Sequence, residues 1–286
     1  LHKNRILVDE TNQTIIFPRG HHILDKRLEI ERDWQTTFLS GAVVEFKQGA
    51  ALRVNGPVYS LGHENFPVTL VVHSDPGHGP LGSWGGLVVV NAQTESIFRH
   101  TRVVGAAESP LPERQDSYGL TGCITFYKSD VLIEDSVFDG LQCEDALNII
   151  SANFKFIRLR FVDTSADAFD SDFSTGTVTD CSFDNIGNDG IDISGSVVEV
   201  KSSQFFYIGD KAISVGERSN LDASGLAIDS SIAGVVSKDK SVVHIRDSSF
   251  DNISGSALMD VVTCRYLPTK STWSNCKARF MTPPSL

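Results

Sequence analysis

The sequence predicts an all-β solenoid, a parallel β-helix of about ten coils, and three observations support this fold class. Large apolar residues recur every 22 or 23 residues, at Phe138, Phe161, Phe183, Phe205, Ile228 and Phe250. A fixed period in this range is typical of a solenoid, in which each repeat packs only against its neighbours. Short runs of alternating apolar and polar residues accompany the period, and no helical pattern competes with them.

The alternation assigns the residues of each repeat to rows that run along the solenoid. One predicted strand has inward rows Ile124, Leu147, Phe169, Ile191 and Phe126, Ile149, Ser171, Ile193, with Thr125, Asn148, Asp170 and Asp192 facing outward. A second predicted strand carries Val131 and Ile133, Phe154 and Phe156, Val178, Val198 and Val200, Val243 and Ile245. Coils stack about 4.8 Å apart, so equivalent residues form ladders. We therefore expect the row of Phe residues to be an internal stack.

The period also divides the chain into segments. Residues 1–35 are less regular, and we expect an N-terminal cap with Trp34 packed on it, because a solenoid must protect its open edge. Coils occupy residues 36–262, and residues 263–286 form either a C-terminal cap or the start of a following segment. The chain begins at Leu1 with no signal peptide. We expect a removed leader or a larger multidomain protein around this segment.

Two insertions rich in Gly and Pro, residues 74–86 and 105–121, precede the first strand of their repeats. Loops carried on a rigid scaffold are common sites of recognition. Together with the nearby Tyr127, they carry the side chains best suited to bind a sugar, which are His78, Trp84, Arg114, Tyr118 and Tyr127. We expect the side chains of the insertions to overhang the corner where the acidic residues of later coils align.

Composition and cysteine content exclude several classes of function. A net charge of −11 disfavours nucleic acid and anionic membranes, and no apolar run approaches the length of about 20 residues of a membrane helix. Five cysteines without a CxxC pair argue against zinc. We expect Cys123 to be a small buried residue, while Cys264 and Cys276 could form a disulfide. The cysteines do not decide the redox compartment.

Acidic residues recur at one corner of the repeat, at Asp145, Asp167, Asp189 and Asp210, with spacings of 22, 22 and 21 residues. One interpretation is structural, because Asp bonds to its own backbone two residues on and a repeated turn repeats its Asp. The other is a functional line of acids. Lys211, Arg218 and Arg114 would then supply the cation that sugar lyases need beside a base.

A second acidic cluster lies on the outward face of the first strand, at Asp170, Asp172 and Asp192. Carboxylates about 5 Å apart repel each other by roughly 1 kcal/mol or more, and such a cluster invites a hard cation. We therefore predict a weak Ca²⁺ site here, to which Asn148 and Ser194 could add oxygen ligands. The alternative is a solvated acidic face.

The run NDGIDISGS followed by GDKAISVG resembles the catalytic coils of polygalacturonase-type glycoside hydrolases. That family is a right-handed parallel β-helix and inverts the sugar with paired carboxylates. The resemblance implies that Asp189 matches the Asp of the family's Asn-Thr-Asp-Gly motif and that Asp210 matches the first Asp of its Gly-Asp-Asp motif. Lys211 stands where the second Asp belongs, and the Gly-His-Gly and Arg-Ile-Lys motifs are missing. The family's acid–base machinery is therefore not carried over.

Residues 36–260 also resemble β-helix repeat domains of bacterial secreted and cell-surface proteins, in the pectin lyase-like superfamily. The resemblance, with the general rule for parallel crossovers, implies a right-handed coil. It also implies a secreted or cell-surface location and a carbohydrate partner.

Three functions stay open at this point. The favoured one is a carbohydrate-interacting module that binds a polysaccharide along the acidic face, with Asn148, Asp145 and Asp167 among its contacts. The second is a polysaccharide hydrolase or lyase that uses Asp189, Asp192 and Asp210 with Lys211, with or without Ca²⁺ as cofactor. The third is a structural or adhesive spacer. An acidic face favours a neutral glycan, or an anionic one bridged by Ca²⁺.

Overall fold

The computed structural model describes residues 6–75, 79–80, 83–107, 120–259 and 263–264, and all regular structure in these ranges is β. The predicted fold class is confirmed, since the strands form a parallel β-solenoid of about ten coils. Each coil has three strands and not the predicted two, because the row of Phe residues lies in a strand of its own. A search of the described ranges finds no helix with the length and apolar character needed to cross a bilayer.

The first sheet has 12 strands, and only its first pairing is antiparallel. It includes the predicted row of Val131, Phe154 and their equivalents. Its strands are Leu7–Asp9, Thr14–Phe17, Gln35–Leu39, Val58–Leu61, Ser96–Arg99, Val131–Glu134, Asn153–Ile157, Thr175–Thr179, Val197–Lys201, Asn220–Ser224, Val242–Arg246 and Thr263–Cys264.

The second and third strands of each coil belong to one 18-stranded sheet. In two coils a single long strand, Gln204–Gly216 or Ala227–Ser237, covers both the second and the third strand and so joins the two ladders. The second strands of the coils carry the Phe residues, and they are Gly20–Leu24, Ala42–Phe46, Val68–Val72, Thr101–Val104, Val137–Asp139, Arg160–Thr164, Ser182–Ile186 and Ser249–Asp251. The third strands correspond to the strand that the sequence analysis placed first in its repeat. They are Leu28–Ile30, Leu52–Val54, Leu87–Val90, Gly122–Tyr127, Asp145–Ile150, Asp167–Asp172, Ile191–Ser194 and Ser256–Met259. A short antiparallel pair, Ser74–Asp75 with Gly79–Pro80, lies outside the coils.

From Asn91 to Asn252, each coil turns three corners through residues with left-handed backbone geometry, and these residues form three columns. The corner before the first strand holds Asn91, Lys128, Ser151, Phe173, Gly195, Glu217 and Asp239. The corner before the second strand holds His100, Asp135, Arg158, Asp180, Ser202, Gly225 and Asp247. The corner before the third strand holds Gly105, Gly140, Asp163, Asn185, Tyr207, Ser230 and Asn252. Most of these are Gly, Asn, Asp or Ser, of which Gly, Asn and Asp tolerate a positive φ best.

Buried hydroxyl and thiol groups that follow two of these corners connect successive coils. The backbone N–H of Ser174 donates to Ser196 Oγ at 2.8 Å, and that of Ser196 donates to Ser219 Oγ at 3.0 Å. At the other corner, Leu159 N–H donates to Cys181 Sγ at 3.4 Å and Cys181 N–H donates to Ser203 Oγ at 3.2 Å. These bonds satisfy amides that the strand ladders do not reach, as buried donors require.

The Phe row is an internal stack, as predicted. The rings of Phe138, Phe161, Phe183 and Phe205 lie 4.9, 5.0 and 4.6 Å apart and within 11° of parallel. All four are buried, whereas Phe250 at the end of the row is only partly buried. Trp34 is also partly buried against this core.

Candidate functional site

The strand register aligns the acids of one corner in a row that we call the corner row, formed by Asp145, Asp167, Asp189 and Lys211. The N–H of Asp189 donates to Asp167 Oδ1 at 2.8 Å, and the N–H of Lys211 donates to Asp189 Oδ1 at 3.0 Å. The sequence analysis placed Asp210 in this row, but Lys211 occupies that position instead. Asp210 precedes the row by one residue, and its own N–H bonds to Asn188 O at 2.9 Å.

A second row, the outer row, contains Asn148, Asp170, Asp192 and Ser214 and matches the predicted outward face. These side chains face away from the core, yet Asn148 is 4% exposed and Ser214 is 0% exposed. Outward side chains that are nevertheless buried are covered by the neighbouring side chains of the same face. We call the two rows together with Asp172 the acidic cleft.

The amide of Asn148 connects acids from two coils. Its Nδ2 donates to Asp170 Oδ2 at 2.9 Å, to Asp145 Oδ2 at 3.2 Å and to Asp172 Oδ2 at 3.4 Å. Thr121 Oγ1 also donates to Asp145, at 3.3 Å. One neutral donor group thus holds three of the carboxyl groups in fixed positions.

Asp167, Asp189 and Asp192 form a second group, drawn from two successive coils. Their nearest carboxylate oxygens all lie within 4.8 Å of one another. Asn188 Nδ2 donates to Asp167 at 2.6 Å, and Lys211 Nζ lies 3.3 Å from both oxygens of Asp189. The same ammonium also contacts Asp210. This group therefore differs from the predicted metal set of Asp170, Asp172 and Asp192, with which it shares Asp192.

Burial raises the pKa of several carboxyl groups in the cleft, because the charged form loses its hydration. The pKa of Asp145 rises to about 7, and that of Asp189 rises to about 6 although Lys211 opposes the shift. Burial and the neighbouring charge of Asp145 raise the pKa of Asp170 to about 10. Burial also raises the pKa of Asp167 and of Asp172. The cleft consequently mixes neutral and ionised carboxyl groups near pH 7.

The structure places the predicted sugar-binding side chains in different surroundings. Trp84 is fully buried, its ring stacks on Phe46 at 4.1 Å and its Nε1 donates to Val104 O at 3.0 Å, so the prediction that it overhangs the cleft is wrong. Tyr127 is half-buried and shares a row with Asp172, and Lys128 Nζ lies 5.1 Å from its ring centre. The predicted residues His78, Arg114 and Tyr118 lie outside the described residues.

Two exposed aromatic residues at the borders of the cleft were missed. Phe173, 63% exposed, directly follows Asp172, and Tyr207, 66% exposed, precedes Lys211 by four positions. Both have a positive φ, 51° and 55°, as the other members of their corner columns do, so two bulky residues occupy positions where smaller ones are more usual. The signal was present in the sequence, since the neighbouring coils place smaller residues at these positions, Ser151 and Gly195 beside Phe173, and Asn185 and Ser230 beside Tyr207.

Gly195 makes room for the ring of Phe173. A Cβ at Gly195 would lie 2.6 Å from Cδ1 of that ring, so the ring occupies the space above the glycine of the next coil. Contact with the backbone fixes the position of this exposed side chain.

A disulfide that the sequence analysis did not predict joins Cys123 to Cys143, at the end of the corner row that begins with Asp145. Cys123 is buried, as expected, but as half of a disulfide. Cys181 is a buried free thiol. The predicted Cys264–Cys276 pair is not tested, because Cys276 lies outside the described residues.

No protein-family model matches this chain, and no curated protein matches it. Among solved structures, the chain is similar to the catalytic domain of a GH87 alpha-1,3-glucanase in complex with tetrasaccharides, with a TM-score of 0.49, 11% identity, and coverage of 91% of this chain and 52% of that one. It is similar to the Agl-KA catalytic domain with a TM-score of 0.45, 13% identity, and coverage of 85% and 49%.

A third similar structure is Pantoea stewartii WceF, a glycan biofilm modifying enzyme with a tailspike-like parallel β-helix fold. Its TM-score is 0.30, with 10% identity and coverage of 84% of this chain and 33% of that one. The chain spans about half the length of the first two of these catalytic domains. These structures give it a weak, partial likeness to glycoside hydrolases, and the function proposed below rests on the residues of the cleft.

Proposed function

We propose that this protein is a carbohydrate-interacting β-helix that binds a polysaccharide in the acidic cleft. The observation that carries the proposal is the pair of exposed aromatic side chains, Phe173 and Tyr207, at the corners that follow and precede the strands of the two polar rows. Sugar rings offer apolar C–H faces to aromatic side chains and hydroxyl groups to polar ones. A cleft that presents both kinds of partner fits this class of ligand.

The charge of the cleft favours a neutral glycan. Ionised carboxylates accept hydrogen bonds from sugar hydroxyls, while neutral ones such as Asp170 also donate. An anionic chain would be repelled by these carboxylates unless a cation bridged the two. Of the predicted contacts, Asp167 is partly exposed and can meet the glycan directly, whereas Asn148 and Asp145 are buried and would hold the neighbouring acids in place.

The disulfide supports a secreted or cell-surface location for this activity. Disulfides persist in oxidising compartments and are rare in the cytosol. The Cys123–Cys143 bond lies inside the solenoid and next to the cleft, so it is part of the folded scaffold.

The test is a glycan array, followed by calorimetric titration of the best neutral oligosaccharide. Phe173→Ala and Tyr207→Ala should each weaken binding roughly tenfold, equivalent to about 1.4 kcal/mol. Phe66→Ala is the matched control, because Phe66 is 45% exposed and lies at another corner, beneath Arg19. If neither aromatic substitution in the cleft changes the affinity of any bound glycan, the cleft is not the binding site.

Polysaccharide cleavage is a second candidate, and the raised pKa of Asp189, about 6, favours it. Glycosidases pair a carboxylic acid that stays protonated near neutral pH with an ionised carboxylate. Asp189 would be the acid, Asp192 or Asp210 the partner, and Lys211 would support the charge. For a glycan that binds, release of reducing ends should be measured with the intact protein and with Asp189→Asn. An enzyme would lose turnover by orders of magnitude and still bind its glycan, while a binding module shows no turnover in either form.

A further inference from the structure

We propose that residues 271–281 supply the second and third strands of one more coil, which covers the C-terminal end of the solenoid. The first strand of that coil is already part of the described structure. It is Thr263–Cys264, the last strand of the first sheet, and it pairs with Val242–Arg246 of the preceding coil. Among the described residues, the second and third ladders end one coil earlier, at Ser249–Asp251 and Ser256–Met259.

Two apolar core rows are left partly open at this end. Ile228 and Val235 are 1% and 0% exposed, whereas their register partners one coil later, Phe250 and Leu258, are only partly buried. The opposite end differs, since Phe17 of the first coil is 0% exposed. Covering open apolar rows is favourable, and an uncovered strand edge can pair with another chain. The end of the solenoid therefore offers a surface for the residues that follow Cys264.

The sequence that follows repeats the last described coil. The letters SSFDN at 248–252 recur as STWSN at 271–275, 23 residues later. The letters ALM at 257–259 recur as RFM at 279–281, 22 residues later. Both offsets equal the period of the inner coils. This alignment extends the coils beyond residue 262, where the sequence analysis ended them.

The alignment brings one large apolar residue to each open row. Trp273 continues the row of Phe250, and Phe280 continues the row of Leu258. Coils stack about 4.8 Å apart, so the two side chains cover the two residues that are partly exposed. An indole ring on Phe250 extends the aromatic stack of the inner coils.

Two polar positions with structural roles recur as well. Ser248 Oγ accepts a hydrogen bond from Leu226 N–H at 3.1 Å, and Ser271 stands at the same place in the repeated motif. Asn252 turns the corner before the third strand with a φ of 52°, and Asn275 stands at that place. Asn tolerates this backbone geometry better than most residues. The repeat thus preserves the corner as well as the core.

The coil has a natural end. Pro283 and Pro284 follow the repeated motif, and proline has no N–H to donate to a further ladder. A coil that contacts only one neighbour opens at a lower free energy than the inner coils do. We therefore expect this coil to protect its neighbour from local opening while adding little to the free energy of global unfolding.

The first experiment is photo-crosslinking of the full chain, without any glycan, with Trp273→benzoylphenylalanine. Irradiation at low protein concentration should join position 273 to Ser249–Asp251 of the same chain, as identified by peptide mass spectrometry. Ser274→benzoylphenylalanine is the matched control, because successive residues of a strand face opposite sides. It should give at least tenfold fewer crosslinks to Phe250.

The second experiment is amide hydrogen exchange of the full chain. Trp273→Ser should speed the exchange of residues 249–259 at least tenfold, because Phe250 loses its cover. Trp273→Phe keeps an aromatic ring in the row and should leave the exchange close to that of the wild type.

Three results would overturn the proposal. One is crosslinking from position 273 to a second chain, which would place another copy at this end. Another is crosslinking from position 273 to a different part of the chain, or equally from positions 273 and 274. The third is unchanged exchange in a folded Trp273→Ser variant. If that variant does not fold, crosslinking decides. None of these results bears on the proposed carbohydrate binding, because no glycan is present.

Discussion

Lys211 lies one coil below Asp189 in the corner row and binds its carboxylate in two ways. The backbone N–H of Lys211 donates to Asp189 Oδ1 at 3.0 Å, and its ammonium lies 3.3 Å from both oxygens. The row of acids therefore ends at a cation that lowers the pKa of the last one, against the larger effect of burial.

This contact predicts the result of replacing the ammonium by an uncharged side chain of similar length. Lys211→Met should raise the pKa of Asp189 above its value of about 6, because burial is then opposed by the backbone N–H alone. Carboxyl-carbon NMR titration would report the change. Lys240→Met, at an exposed corner of the solenoid, should leave the titration of Asp189 as it is, and an unchanged pKa in Lys211→Met would contradict the assigned contact.

The buried acids predict that stability falls as pH rises. A carboxyl group with a raised pKa binds its proton more tightly in the folded state than in the unfolded state, so the unfolding free energy decreases between the two pKa values. For Asp145 this window runs from its ordinary value of 3.8 to about 7, and for Asp170 it extends to about 10. Urea unfolding in chelator should therefore give a higher unfolding free energy at pH 5 than at pH 8.

Asp170→Asn tests the source of this slope. The amide resembles the neutral acid, so the variant should lose less unfolding free energy between pH 5 and pH 8 than the wild type does. Asp135→Asn is the control. The hydrogen bond from Arg158 lowers the pKa of Asp135, which stays ionised across this window and contributes no slope. Equal slopes in the wild type and Asp170→Asn would show that Asp170 is not buried as described.

The disulfide should contribute measurably to stability. Cys123 and Cys143 are separated by 20 residues, and closing a loop of this size stabilises a fold by about 3 kcal/mol through the unfolded state. Cys123→Ala/Cys143→Ala should lower the unfolding free energy by about that amount, measured with urea. Reductant should destabilise the wild type similarly and leave the double variant unaffected. A wild type whose stability survives verified reduction would contradict the expectation.

Two substitutions of Cys181 test how much its hydrogen bonds to neighbouring coils contribute to stability. Its thiol accepts from Leu159 N–H and donates to Thr179 O, at a position where the next coil has Ser203. Cys181→Ser preserves both roles and should change the unfolding free energy by less than about 1 kcal/mol. Cys181→Ala leaves a buried N–H without its partner and should cost about 1–3 kcal/mol. Equal stability of the two variants would mean that the thiol contributes only by packing.

The aromatic stack predicts a graded cost of truncation. Phe183 packs face to face between Phe161 and Phe205, so Phe183→Ala should lower the unfolding free energy by about 3–5 kcal/mol. Phe250→Ala, at the partly buried end of the same row, should cost clearly less. Denaturant unfolding of both variants measures the difference, and similar losses would indicate that burial along the row is uniform.

The period and the inward rows were predictable because they depend on apolar residues that only a core explains. Phe161 and Phe183 stand one period apart, and the structure pairs them directly. The second strand of each coil, which carries the Phe row, was not predicted as a separate strand, because the corner that separates it from the third strand varies in residue type. Tyr207 and Ser230 occupy equivalent left-handed positions with little chemistry in common.

The acids of the cleft were identified, but their roles depend on contacts that spacing does not encode. Counting acids selected Asp210, whereas the 22-residue period selects Lys211, and the register follows the period. Asn148 Nδ2 donates to Asp145, Asp170 and Asp172, and no feature of the sequence specifies which way an amide points. Trp84 was taken for a surface residue because it lies in a loop rich in Gly and Pro.

The columns of left-handed corners have a consequence for how this molecule can change over evolution or by engineering. Since the coils between Asn91 and Asn252 share the same corner geometry, a whole 22-residue unit within this range can be removed or duplicated without altering how its neighbours join. Each such event would shorten or lengthen the acidic cleft by about 4.8 Å, the spacing of one coil. The length of surface available to a linear ligand therefore changes in steps of one coil. Each coil supplies the side chains that contact its own part of that ligand.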